Sequence, residues 1–345
     1  MSPRTVVRGR AAASQPSPGA AAADLVSVAD LGPAGVEAIL ALTAVVKARP
    51  AEYRAALAGK QAAMIFEKPS LRTRVTFEAA MNTLGGAAIF MDQRGTRMAE
   101  REPVCDIARN LERWVDAIVL RTYEHATVTE MARWASVPVI NALSDHEHPC
   151  QALADYFTLR ECFGDLRPRK LAYVGDGNNV AHSLLLAAAA TGSRMSVATP
   201  RGYEPDKGVT AAARAMAAKT GGAIETTHDP LAAVAGADAV YTDVRASMGQ
   251  EQEAAERHKV FAAYQVNEKL FGKAAPHAVF MHCLPAHRGG EVTDAVIECK
   301  RSVVFEQAEN RLHAQKAVLM VLLGASAVRL PARKAGTKGQ GSLHA

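Results

Sequence analysis

From residue 61 onward, short β-rich runs alternate with helix-length segments, and no other feature constrains the fold as tightly. The first half offers AAMIF (62–66), AAIFM (87–91), DAIVL (116–120) and VPVI (137–140) as strands. The second half offers KLAYVG (170–175), RMSVAT (194–199), AIETT (223–227), ADAVYTD (237–243) and HAVFMHC (277–283). Between them lie helical patterns such as RVTFEAAMNTLG, VCDIARNLERW and TVTEMARWAS. Parallel strands need a crossover, usually a helix, and sheets covered on both faces read as near-continuous apolar runs. The pattern predicts an α/β protein of two doubly wound domains with parallel central sheets, joined by long interdomain helices. The 345 residues fit about two domains. A helix over 149–163, followed by GDLRPR, is the candidate junction, and another from about 308 to 323 closes the fold.

Composition removes several classes. No uninterrupted apolar run reaches the ~18 residues of a membrane span, and AVLMVLLGASAV near the C-terminus reads as a buried helix. Five cysteines, without paired spacing, point to a reducing compartment. The net charge of +5 is scattered, with some excess in the two tails, which suits a small anionic substrate better than nucleic acid. Neither nucleic acid nor a membrane is an expected partner. Residues 1–23 contain Arg but no acid before the end of the stretch, and read as a disordered extension or a transit peptide. The cytoplasm is therefore the expected compartment, with the mitochondrial matrix as the alternative if that stretch is cleaved. Residues 330–345 read as a flexible tail.

In open α/β sheets ligands bind at the carboxyl ends of the strands. FEKPSLRTR follows the first strand, RTYEH the third and NALSDHEHPCQ the fourth; GDGNNVAHS, DVRASMGQE and HCLPAHRGG follow strands of the second half. Each has a bland reading beside the chemical one. SLRTR, if it opens a helix, makes an anion cradle from free N–H groups, hydroxyls and guanidiniums. The alternative, an exposed basic helix start, is electrostatically disfavoured without an anion. His148 and Gln151 stand at i and i+3 near a helix start, where the first can donate to a carbonyl oxygen and the second can bind an amide. Taken alone, a histidine satisfying a local backbone group is the commoner case. GDGNN lacks the spaced third Gly of a dinucleotide fingerprint, and Asn178 and Asn179 can instead meet the polar groups of an amino acid. Cys283 in HCLP is either a buried inert thiol or a cleft residue. The histidines and cysteines form no recognised zinc spacing, so no metal is expected.

Taken together and in order, FEKPSLRTR, HPCQALADY, VGDGNN, YTDVRASMG, HCLPAHRG and AENRLHAQK resemble the aspartate/ornithine carbamoyltransferase family, over roughly residues 25–325. The SMG and HCLP motifs resemble its ornithine branch. The resemblance implies transfer of the carbamoyl group of carbamoyl phosphate to the side-chain amine of L-ornithine, giving L-citrulline and phosphate in arginine biosynthesis or a related step. It implies a carbamoyl phosphate-binding domain over 24–155, completed by a C-terminal helix over 308–325, and an ornithine-binding domain over 156–307. By resemblance, Ser70, Leu71 through its N–H, Arg72 and Thr73 hold the phosphate; Arg121 bridges phosphate and carbonyl oxygen; His148 and Gln151 bind the carbamoyl end. Leu284 and Arg311 complete that pocket. Asn179, Asp243, Ser247 and Met248 hold ornithine, and Asp243 with Cys283 orients the amine and helps deprotonate it. The catalytic set is Arg121, His148, Cys283 and Asp243. No cofactor is implied, and the family's usual assembly is a homotrimer, with the phosphate site at a subunit interface.

Three departures from the family pattern stand out. Leu71 replaces a usual Thr and removes a hydroxyl. Arg245 takes the place of an aromatic residue before SMG. Arg97 falls where a residue of the neighbouring subunit reaches into the site. Other readings are a carbamoyltransferase for another amine such as an acylated ornithine, a non-catalytic ligand-binding paralogue, and a nucleotide-binding oxidoreductase resting on GDGNN alone.

Overall fold

The computed structural model describes residues 24–93, 98–245, 257, 259–328 and 330. All nine expected strands are present, in two wholly parallel sheets. The first holds β1 (Gln61–Phe66), β2 (Ala87–Asp92), β3 (Ala117–Arg121) and β4 (Val139–Leu143) in the order β2-β1-β3-β4. The second holds β5 (Lys170–Val174), β6 (Arg194–Ala198), β7 (Ala223–Thr227), β8 (Ala239–Thr242) and β9 (Val279–His282) in the order β7-β6-β5-β8-β9. Strand order therefore reverses twice, at β1/β3 and at β5/β8. Loops leaving the two strands of such a pair diverge and open a crevice between them.

Helices cover both faces of each sheet: α1 (Gly32–Ala48), α2 (Leu71–Thr83), α3 (Val104–Leu111), α4 (His125–Trp134), α5 (Pro149–Phe163), α6 (Asn179–Thr191), α7 (Lys207–Thr220) and α8 (Pro230–Val234). Past β9, the long C-terminal helix runs over Val304–Leu322. It starts four residues before the expected 308, because Val304 already packs into the core of the second sheet, and it ends three residues before the expected 325. The expected boundary at 155/156 falls inside α5, whose residues from Pro149 to Leu159 are all buried. A helix apolar on every side is a central one: α5 packs against α1, α6 and the C-terminal helix, so it belongs to both halves.

The stretch Val28–Ala48 is long and apolar enough by composition to cross a membrane, with a mean hydropathy of 1.5. Its buried residues Val36, Ile39, Leu40, Thr43 and Val46 recur at helical spacing and face α5, α6 and the C-terminal helix. It is thus a core helix. All five cysteines are free thiols. The extension 1–23, the tail 331–345, and Arg97, Ser247 and Met248 lie outside the described residues.

Candidate active site

The site is built at the two crevices. At the first, β1 ends at Phe66 and α2 opens at Leu71 with Ser70 as its N-cap; the Ser70 hydroxyl accepts from the Thr73 N–H at 3.2 Å. The N–H groups of Leu71 and Arg72 belong to the first helical turn, have no intrahelical acceptor by position, and face the β-strand ends. The two arginines of this stretch part company. Arg74 turns away, bonded to Glu78 at 2.9 Å and stacked over Phe90 at 3.8 Å. Arg72 remains at the crevice, and burial pulls its pKa down from the usual arginine value. Leu71 is 75% exposed.

Arg121 is the last residue of β3, in register with Phe66 of β1. Arg311 comes from the C-terminal helix and donates to the Thr73 hydroxyl at 2.8 Å. Both guanidiniums are buried. Burial, then Arg311 and then Arg72, push Arg121 down to about 9. Among the described residues no carboxylate forms an ion pair with Arg72, Arg121 or Arg311, and the Nε atoms of Arg121 and Arg311 are buried without a partner. Like charges gathered in a low-dielectric site without a counter-ion cost free energy. An anion placed among them relieves that cost.

His148 is the N-cap of α5, and its own N–H donates to the Ser183 hydroxyl at 2.9 Å, across to α6. Burial first, then Arg311 and Arg121, hold its imidazole well below the usual histidine value. The ring is therefore neutral, and its Nδ1 has no partner. One helical turn on, the Gln151 amide nitrogen donates to Asp155 at 2.8 Å, while its carbonyl oxygen is buried and unpartnered. Arg121, His148, Gln151 and Arg311 thus each keep one unmatched buried polar atom, and the charges of Arg121 and Arg311 both act on His148.

The second crevice faces the first. Asp243 follows β8, Cys283 follows β9, and the Cys283 thiol donates to Asp243 at 3.0 Å. Burial and the Asp243 carboxylate push that thiol well above the usual cysteine range. Cys283 is therefore a protonated donor, and the carboxylate is the group of this pair able to receive a proton. Asn178, the N-cap of α6, donates to the other Asp243 oxygen at 2.8 Å. The neighbouring Asn179 donates to the Ser144 carbonyl at 2.6 Å and ties the two halves together. Leu284 has a positive φ of 56° and its N–H donates to His282 Nδ1 at 2.8 Å.

Ligand atoms of Asp243, His282 and Cys283 lie within 4.8 Å of one another. His282, however, accepts the Leu284 N–H on Nδ1 and faces Glu291 at 3.3 Å with Nε2, so neither ring nitrogen keeps a free lone pair for a cation. The GDGNN stretch has a structural reason for its second glycine: a Cβ at Gly177 would sit 2.2 Å from the Pro205 nitrogen. The turn is shaped by that loop, which removes the argument for a dinucleotide.

Arg245 takes the place of an aromatic residue in the family's ornithine loop. It donates to the Gly290 carbonyl at 2.7 Å, clamping the loop after β8 to the loop after β9. Sequence reading offered Asn178 for the polar groups of an amino acid and missed that its amide holds Asp243. It also passed over Lys68, buried over the Tyr123 ring at 4.7 Å with its pKa lowered by burial and by Arg121.

Similarity to known proteins agrees with this geometry. Residues 23–161 match the aspartate/ornithine carbamoyltransferase carbamoyl-P binding domain, and residues 168–322 match the Asp/Orn binding domain of the same family. The ornithine carbamoyltransferase of Pyrococcus abyssi is 57% identical over 268 residues, 78% of this chain and 84% of that protein. That of Anoxybacillus flavithermus is 52% identical over 302 residues, 87% of this chain and 96% of its own length. The solved ornithine carbamoyltransferase of Pyrococcus furiosus superposes with a TM-score of 0.86 at 51% identity, covering 90% of this chain and 99% of that one. Two matched domains in the right order, on two parallel sheets whose crevices face each other, place the chain in the aspartate/ornithine carbamoyltransferase family.

Proposed function

We propose that the chain transfers the carbamoyl group of carbamoyl phosphate to the side-chain amine of L-ornithine, giving L-citrulline and phosphate. The observation that carries this reading is the group of three guanidiniums, Arg72, Arg121 and Arg311, with no carboxylate ion pair among the described residues, next to a neutral histidine and an unmatched glutamine carbonyl. The cations and the α2 N-terminus suit a phosphate. The histidine and glutamine suit the two ends of a carbamoyl group, an oxygen that needs a donor and an NH2 that needs an acceptor.

In this reading Ser70, Leu71, Arg72 and Thr73 hold the phosphate, with Arg311 bonded to Thr73 behind them. The ornithine amine attacks in its neutral form. Asp243, with Cys283 and Asn178 fixing its two oxygens, orients that amine and takes its first proton. As the nitrogen bonds to the carbamoyl carbon, negative charge builds on the carbonyl oxygen, where Arg121 and His148 supply donors. The carbon–oxygen bond to phosphate then breaks, and the nitrogen's surplus proton leaves with the phosphate as HPO4²⁻. Ser247 and Met248 are proposed for the ornithine end on the family motif alone.

A homotrimer is part of the same proposal. Leu71 and Val75 on α2, the helix that opens at the phosphate site, and Ile89 on the edge strand β2 are exposed apolar residues, a surface that a second copy would cover. Purified protein given both substrates should release citrulline and phosphate in equal amounts. Arg121→Leu should lower kcat by about 10²–10³, the usual loss on removing one oxyanion donor. Equal rates in the variant and the parent would overturn the role given to Arg121.

A further inference from the structure

Asp155 is fully buried, and no step above uses it. It stands one turn beyond Gln151 on α5 and accepts from three donors. Gln151 and Gln307 Nε2 reach one oxygen at 2.8 and 2.7 Å, and the Tyr241 hydroxyl reaches the other at 3.1 Å. Which end of a glutamine amide faces which neighbour is set by the network around it, and here the network has an anchor. The Gln307 carbonyl accepts the His282 backbone N–H at 3.0 Å. That donor cannot reverse, so the Gln307 NH2 must face Asp155, and Asp155 must accept. With a carboxylate as neighbour, the Gln151 NH2 must face it as well. Its carbonyl oxygen is left buried and without a partner.

We propose that Asp155 is a positioning residue that fixes the orientation of the Gln151 amide, so that Gln151 meets the carbamoyl NH2 with an acceptor rather than a donor. This rests on the reading of the site as one for carbamoyl phosphate and deepens it. The reversed amide would set NH2 against NH2 and disfavour the carbamoyl group, while leaving a bare phosphate indifferent. The same network runs on through Gln307 to the His282 peptide, next to Cys283, so the carbamoyl acceptor and the amine end of the site share one buried carboxylate. Burial raises the Asp155 carboxyl to about 7 against its three donors, and the oxygen that takes both amide nitrogens can accept in either protonation state.

The test is calorimetric, on the full-length protein, with two probes. Inorganic phosphate reports the cationic cradle. Phosphonoacetamide, in which a methylene replaces the bridging oxygen and the amide is kept, reports the cradle and the carbamoyl end together. Asp155→Asn offers one acceptor where three donors need them, and its own NH2 can satisfy a reversed Gln151. Phosphonoacetamide should then bind about three- to tenfold more weakly, the scale of one misdirected hydrogen bond, with phosphate affinity unchanged. In a Gln151→Ala background, Asp155→Asn should weaken phosphonoacetamide no further. A full additional loss there, an equal loss for phosphate, or no loss in the single variant would each overturn the proposal. Should Asp155→Asn not fold, Tyr241→Phe removes one of the three donors and should weaken phosphonoacetamide alone by about twofold; equal affinity to the parent would overturn the proposal as well. Parent protein that binds neither probe would instead sink the carbamoyl phosphate reading, and this inference with it.

Discussion

Single residues at this site are set by what they lack. Among the described residues no carboxylate forms an ion pair with the buried Arg121 and Arg311, and His148 and Gln151 each keep one unmatched buried atom. In a folded protein buried polar atoms are nearly always paired, so four orphans on residues that close on these crevices suit a ligand's atoms. Cys283 is the instructive counter-case. Its position after β9 was readable, but its protonation state depends on Asp243 and on burial, which only the fold supplies. Asp155 left a signal that was passed over: an acid four residues after Gln151 shares its helix face. Leu71 allows a direct prediction. It is exposed at the first position of α2 and contributes only its N–H, whereas threonine would add a hydroxyl toward the phosphate. Leu71→Thr should lower the KM for carbamoyl phosphate by about threefold, near the net worth of one hydrogen bond. An unchanged or higher KM would mean that the backbone N–H already suffices.

Secondary structure was largely legible because buried parallel strands read as apolar runs, and all nine strands lie where those runs are. β4 shows where this signal fails. The apolar run VPVI ends at Ile140, yet the strand begins after Pro138, which has no N–H to give, and continues through Asn141 to Leu143. Asn141 is tolerated there because the N-terminal segment meets it: its N–H donates to the Leu25 carbonyl and its side chain to that of Val26. No local pattern reveals such a partner, 115 residues away. The same holds for α1, which lies before the region where the alternation begins. The partner of Arg245 was hidden for a related reason. The family motif gave its position, whereas its partner, the Gly290 carbonyl, comes from a distant loop. It clamps two loops at the amine end of the site, so Arg245→Trp should raise the KM for ornithine severalfold and leave that for carbamoyl phosphate within about twofold, since a buried guanidinium–carbonyl bond is worth about 1.5–3 kcal/mol. Equal effects on both substrates would contradict the clamp.

At the level of the whole molecule, two parallel sheets set their switch points face to face, and a shared layer of helices holds them so. Links such as the Asn179–Ser144 and His148–Ser183 hydrogen bonds join the halves beside the site itself, so substrate contacts and domain contacts are the same neighbourhood. The apolar surface of Leu71, Val75 and Ile89 carries the assembly prediction. Ile89→Asp should convert a trimer to monomers in sedimentation and depress activity with it, because a charge buried in a subunit interface is strongly disfavoured; trimers of full activity would show that this surface is not the interface. The most direct measurement is citrulline formation by the purified protein with carbamoyl phosphate and ornithine, run beside N-acetylornithine, putrescine and aspartate as acceptors. Turnover with ornithine alone is the predicted result. Turnover with another of the four amines but not ornithine, or silence with all four in a protein that still binds carbamoyl phosphate, would contradict it.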